Sequence, residues 1–262
     1  MASVQLADVA LHVVERGRGT PLLLVHGFPL DHTMWHGQLD ALADTCRVIA
    51  PDLRGFGASS VVAGTATMTQ LADDLAALLE KLAISEPVVF CGLSMGGYVA
   101  WQFALRHPQK LAKLIVCDTR AVADSAEAAA GRIKTADKVL KEGAGVVAEA
   151  MLPKLFAPDT AKSQPTLVEA TRQVILGTAP EGIAAALRGM AERPDVTAQL
   201  AQIKVPTLVI CGEHDGIAPP AEMRGIAEQL PAGKFALIKQ AGHMAPLEQP
   251  AAVNAAIREF LR

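Results

Sequence analysis

Residues 88–98, Val88-Val89-Phe90-Cys91-Gly92-Leu93-Ser94-Met95-Gly96-Gly97-Tyr98, decide how this chain is read. An apolar run leads into Ser94, and a helix-like run from Tyr98 leads away until Pro108. Glycine stands two positions before the serine and again two and three after it. At a sharp strand-to-helix corner the central residue takes strained backbone angles, and neighbours two positions away collide unless they are small. The pattern Gly92-Leu93-Ser94-Met95-Gly96 therefore raises one hydroxyl above a sheet edge at a helix N-terminus, as a nucleophile elbow does. The blander account is a serine that N-caps a helix packed tightly on its strand.

Outward from that corner, strand and helix signals alternate. Residues 4–17 read as two strands, and Pro21–Gly27 as a buried strand. Met34–Asp44 has helical spacing and Cys46–Asp52 reads as a strand. Met68–Ile84 is an amphipathic helix, Pro87–Gly92 a strand, and Lys110–Thr119 a further strand. Short Val/Ile/Leu runs between helices predict a mostly parallel sheet covered on both faces, an α/β fold of eight strands. The rhythm stops near Ala121, and only helical patterns follow to about Leu200. It resumes with a strand at Pro206–Asp215, a helix at Pro219–Pro231, a strand at Lys234–His243 and a last helix to Arg262. We therefore expect a core made of 1–121 and 201–262. Residues 122–200 form an all-helical insertion after the sixth strand, placed to act as a cap or lid.

Composition narrows the function classes. The 262 residues are 51% hydrophobic and 19% charged, enough for a large core and against global disorder. A net charge of -3 with scattered signs is no footprint for nucleic acid or an anionic membrane surface. No apolar stretch approaches the roughly 20 residues a membrane span needs, and the N-terminus has no signal-peptide pattern. The expectation is a soluble cytoplasmic protein. Cys46, Cys91, Cys117 and Cys211 lack metal-finger or CxxC spacing and read as buried reduced thiols. No metal and no cofactor is expected.

A nucleophilic serine needs a base. Of seven histidines, His243 lies in a loop after the last strand, at the same carboxyl edge as the elbow. Its imidazole can take the serine proton there and return it to a leaving group. The base needs an orienting carboxylate, and Asp215, at the end of Thr207–Asp215, falls between serine and histidine in chain order. Asp118, ending the preceding strand, and Glu213 are its competitors. An oxyanion would take the backbone N–H of Met95 and one from the loop His26-Gly27-Phe28-Pro29, for which Phe28 is the candidate.

With these residues in hand the whole chain resembles the α/β-hydrolase family. The matching segments are VHGFP (25–29), DLRGFGAS (52–59), GLSMGGY (92–98), GEHD (212–215) and AGHMAPLEQP (241–250). The resemblance implies Ser94 as nucleophile, Asp215 as acid and His243 as base, and gives the DLRGFGAS loop a structural rather than catalytic role. Serine at position 94 departs from branches of this fold whose nucleophile is aspartate. The leading expectation is a carboxylic ester hydrolase acting on short to medium acyl chains through an acyl-enzyme. The chain is also similar to the 3-oxoadipate enol-lactonase branch, whose lactone carries a carboxylate that Arg120, Arg132, Arg172 or Arg188 would meet. Perhydrolase, hydroxynitrile lyase and non-catalytic binding roles share the fold. The partner expected is a small-molecule ester or lactone, and a homo-oligomer stays open. Trp35, Met151, Leu152, Leu155, Phe156, Ile175 and Met190 are the expected pocket residues, alongside Val174, Leu176 and other apolar positions of the insertion.

Overall fold

A computed structural model describes residues 2–262, so Met1 of the expected 1–121 core lies outside it. Eight strands form a single sheet in the order β1-β2-β4-β3-β5-β6-β7-β8. β1 (Ala2–Gln5) and β2 (Ala10–Arg16) are antiparallel additions at one edge. β3 (Thr20–Val25), β4 (Cys46–Pro51), β5 (Val88–Leu93), β6 (Leu111–Cys117), β7 (Thr207–Gly212) and β8 (Gly233–Ile238) pair in parallel. This is the α/β sheet the alternation predicts. Every residue of β5 and β7 is buried, which is why these strands read as unbroken apolar runs.

The helices between parallel strands follow their sequence signals with one exception. Met34–Asp44 forms no continuous helix. A 3-10 turn, His32–Trp35, gives way to the four-residue α1 (His36–Leu39) before the chain turns into β4. Met34, Trp35, Gln38, Leu39 and Leu42 are all buried, so the spacing records a buried face rather than sustained helical bonding. α2 (Met68–Lys81) is a full amphipathic helix. The Thr67 side chain caps it by accepting the Gln70 N–H, and Met68, Leu71, Leu75, Leu78 and Leu79 face the sheet. Each such side chain contributes about 1.5–3 kcal/mol of burial. α3 (Met95–Arg106) starts at the residue after Ser94 and ends before His107-Pro108.

Between β6 and β7 the chain is helical: α4 (Ala126–Glu142), α5 (Gly145–Leu155), α6 (Thr160–Ser163), α7 (Pro165–Gly177), α8 (Pro180–Ala191) and a 3-10 segment, Thr197–Gln202. α9 (Pro220–Gln229), α10 (Ala245–Glu248) and α11 (Pro250–Leu261) complete the fold. The loops after β3, β5, β6, β7 and β8 all leave the carboxyl edge of the sheet. Among the described residues no helix is long and apolar enough to cross a membrane.

Candidate active site

Ser94 has φ 52° and ψ −111°, a left-handed conformation that L residues other than glycine seldom take. The strain is held from both sides. Its N–H donates to Cys117 O at 2.9 Å, and its carbonyl accepts the Gly97 N–H at 2.9 Å and the Thr119 hydroxyl at 2.7 Å. The flanking glycines are required by contact. A β-carbon on Gly92 would stand 2.2 Å from Gly96 O, and one on Gly96 would stand 2.3 Å from Val25 O. The corner therefore closes only with both side chains absent.

Three side chains from three loops meet above this edge. His243 Nε2 lies 2.9 Å from Ser94 Oγ, and His243 Nδ1 lies 2.9 Å from Asp215 Oδ2. A carboxylate only accepts, so Nδ1 carries the proton and Nε2 is free to accept the serine hydroxyl. The other Asp215 oxygen accepts the Ile217 and Ala218 N–H groups at 2.7 and 3.0 Å. Burial alone would raise the Asp215 carboxyl; the His243 hydrogen bond and charge and the two amides outweigh it and hold it below the ordinary carboxylate value.

Neither competing acid is hydrogen-bonded to His243. Glu213 turns outward to Lys239 at 2.6 Å and the Gln240 N–H at 3.2 Å. Asp118 is fully enclosed and accepts the Gly212 N–H at 2.7 Å. Of the other histidines, His26 is buried with Nε2 accepting the Leu53 N–H, and His107 meets Asp73.

Of the two backbone donors expected from the sequence, one directly follows the serine and the other lies in the loop after β3. Met95 N–H is at the first turn of α3, and Phe28 follows Gly27. The Gly27 loop passes so close that a β-carbon there would stand 3.4 Å from Ser94 Cβ. Neither the Phe28 nor the Met95 N–H donates a hydrogen bond among the described residues.

Residues 20–250 match the family model for the alpha/beta hydrolase fold. The chain belongs to the α/β-hydrolase family. It is similar to 3-oxoadipate enol-lactonase 2 of Acinetobacter baylyi, with 31% identity over 97% of this chain and 94% of that protein. Among solved structures it is similar to a thermophilic esterase from Thermogutta terrifontis, malate bound. That match has 49% identity and TM-score 0.97, covering 99% of this chain and 96% of the other. The enol-lactonase from Burkholderia xenovorans LB400 matches at 30% identity and TM-score 0.92, covering 99% of each chain.

A cavity of about 320 Å³ adjoins this α/β-hydrolase site. Phe28, next to Gly27, and Ile217, whose N–H donates to Asp215, line it together with the apolar Val147, Met151 and Leu187. Of the pocket residues expected from the sequence, Met151 alone lines it. Trp35 is fully buried in the core beside β3 and β4, and Leu155 and Ile175 are sealed in that core with Leu152 and Phe156 against it. Met190 is buried too, 3.6 Å from an Arg132 nitrogen. Helical spacing finds an apolar face without telling whether protein or a cavity meets it.

The four candidate arginines are each paired. Arg120 meets Glu222 at 2.8 Å, Arg188 meets Asp137 at 3.3 Å, Arg172 lies 3.9 Å from Glu169, and Arg132 binds Asp124. Arg132 does reach the cavity, as does Lys154, which forms no ion pair among the described residues. Cys46, Cys91, Cys117 and Cys211 are free and buried.

Sequence reasoning missed two polar hubs. Asp52, in the DLRGFGAS loop, takes four N–H donors: the amide and Nδ1 of His32 on Oδ1, and the Ala58 amide with His12 Nδ1 on Oδ2. It ties β2, the loop after β3 and the turn after β4 together. Glu248, in the AGHMAPLEQP segment, accepts from Gly242, Ala157 and Thr160.

Proposed function

We propose that the chain is a serine hydrolase that cleaves carboxylic esters of short to medium acyl chains through an acyl-enzyme. The observation that carries the reading is the unbroken hydrogen-bond row from Ser94 through His243 to Asp215, beginning on a strained residue at the N-terminus of α3. His243 Nε2 takes the Ser94 proton as Oγ attacks the ester carbonyl. The oxyanion is received by the Phe28 and Met95 N–H groups. The imidazolium then gives its proton to the departing alcohol, and water, deprotonated by the same nitrogen, releases the acid. Asp215 keeps Nδ1 protonated throughout. No cofactor or metal enters these steps.

Residues 122–200 act in this reading as a cap whose α4, α5 and α8 wall the cavity that Phe28 and Ile217 also line. Its anchoring supports the role: Ala66 N–H donates to Ala185 O and Met244 N–H to Leu155 O. An enol-lactone hydrolase is the second reading, favoured by the two enol-lactonase likenesses and by the unpaired Lys154 at the cavity. The ester reading leads because the thermophilic esterase is the more similar solved structure, at 49% identity against 30% for the enol-lactonase.

The test is a panel of nitrophenyl esters, neutral lactones and a carboxylated enol-lactone, run with and without a fluorophosphonate. Turnover of short esters, blocked by one covalent label on Ser94 and absent in Ser94→Ala, is the expected result. A large preference for the carboxylated lactone would move the assignment to the second reading. Turnover retained by Ser94→Ala would end both.

A further inference from the structure

Asp118 is a buried carboxyl at the reacting edge that the chemistry above leaves unused. It is the first residue after β6, has φ 47° and is 0% exposed. Its Oδ1 accepts the Gly212 N–H at 2.7 Å, whereas its Oδ2 is buried without a hydrogen-bond partner. One side-chain atom each of Asp118, Cys211 and Asp215 fall together within 4.8 Å. Two carboxyl groups that close, with water excluded, do not both ionise.

The charge belongs on Asp215. That carboxylate accepts three N–H groups, from His243, Ile217 and Ala218, against one for Asp118. The proton of the pair therefore falls on Asp118 Oδ2, the oxygen that no donor faces. An O–H there needs an acceptor, and Asp215 supplies negative charge within reach. Cys211 is the weaker alternative, since its own thiol is directed at the carbonyls of Gly212 and Ala218, both at 3.4 Å.

We infer that Asp118 is a neutral positioning residue, carrying a proton on Oδ2 behind Asp215 and keeping the single charge of the pair on the carboxylate that faces His243. The inference rests on the proposed serine-hydrolase reading and extends it to the group that backs its acid. Burial, and after it the charge of Asp215, push the Asp118 carboxyl well above the ordinary carboxylate range. The titratable groups facing it are Asp215 and Cys211 from β7 and its loop and Cys117 from its own strand, with His243 beyond Asp215.

Two variants and an infrared spectrum test this. Asp118→Asn preserves a neutral donor and acceptor and tolerates the left-handed backbone; Asp118→Gly tolerates the backbone and removes both groups. In the wild-type minus Asp118→Asn infrared difference spectrum at neutral pH, the carbonyl stretch of a protonated carboxylic acid should appear as a wild-type band. Asp118→Asn should keep kcat, KM and the acid limb of the rate–pH profile. Asp118→Gly should lower kcat by about tenfold with KM little changed, the worth of one hydrogen bond to a charged group. Absence of the protonated band overturns the inference, as does an acid limb moved to lower pH in Asp118→Asn, which would mean that a negative charge had been removed. The infrared result does not depend on turnover. A band found in a protein without esterase activity would leave the proton on Asp118 and remove the function instead.

Discussion

Glu248 Oε1 accepts the Gly242 N–H at 2.7 Å, and its Oε2 accepts the Ala157 N–H at 2.8 Å. One carboxylate thus ties the residue before His243 to the turn between α5 and α6. The Thr160 hydroxyl donates to the same Oε2. Removing the acceptor strands three donors in a site where Glu248 is 3% exposed. Each stranded donor costs about 1–3 kcal/mol. Even at the lower end of that range, about 3 kcal/mol for the three, Glu248→Ala should lower the melting temperature by about 6–12 °C. It should also raise amide exchange at Gly242 and Ala157 together and reduce kcat through loss of His243 position. Thr160→Val, which removes one donor with its need for a partner, should do far less. Unchanged exchange at both amides in Glu248→Ala would refute the clamp.

Asp215→Asn tests the proton bookkeeping of the proposed row. The amide can present N–H to His243 Nδ1, which then favours the tautomer protonated on Nε2 and unable to accept the serine proton. Turnover of short esters should fall by roughly 10⁴-fold, as in serine proteases whose acid is so changed. The melting temperature should move by only a few degrees, because the Ile217 and Ala218 amides keep an oxygen acceptor. A loss below tenfold would move the orienting role away from Asp215.

Much of this was legible in the sequence because the causes are local. The buried runs of β5 and β7 show as unbroken apolar stretches, and Gly92 answers a contact only four residues on, with Gly96 O, although Gly96 itself answers the distant Val25 carbonyl. The two hubs were not legible. Glu248 meets Ala157 across 91 residues and Asp52 meets His12 across 40, and no spacing rule links such positions. The helix expected at Met34–Asp44 failed for a related reason. Buried periodicity there serves packing of Trp35 and Leu42 against the sheet, while the hydrogen bonds break into short turns.

The Asp52 hub predicts a pH signature of stability. Burial alone would raise its carboxyl, but the His32 hydrogen bond and the His32 and Ala58 amides are among the groups that bring it down to about 2 from 3.8. A depressed value in the folded state means that the stabilisation is complete above 3.8 and is lost as pH falls towards about 2. It amounts to about 2 kcal/mol. His32 shifts the other way: its hydrogen bond to Asp52 outweighs burial and raises it above 6.5. Its contribution is complete below 6.5 and is lost as pH rises through the raised value. Unfolding of wild type and Asp52→Asn should converge between pH 4 and 2, and the advantage over His32→Asn should be larger at pH 6 than at pH 9. Differences that stayed flat across both windows would show that the hub acts by packing rather than by charge.

The cavity beside Phe28 makes the acyl preference testable at one residue. Met151 lines it from α5, and its flexible thioether leaves room when truncated. Met151→Ala should shift the optimum to longer acyl chains. Each extra methylene accommodated contributes about 0.8 kcal/mol, or about fourfold in relative kcat/KM. Met151→Trp should cut medium chains while sparing the acetate ester. Trp35→Phe is the control: its site is fully buried away from the cavity, so it should lower stability and leave the chain-length profile alone. The measurement is kcat/KM over nitrophenyl esters from acetate to long-chain acids for the three variants. A profile indifferent to Met151, or one that keeps rising to the longest acyl chains in the wild type, would place acyl recognition outside this cavity.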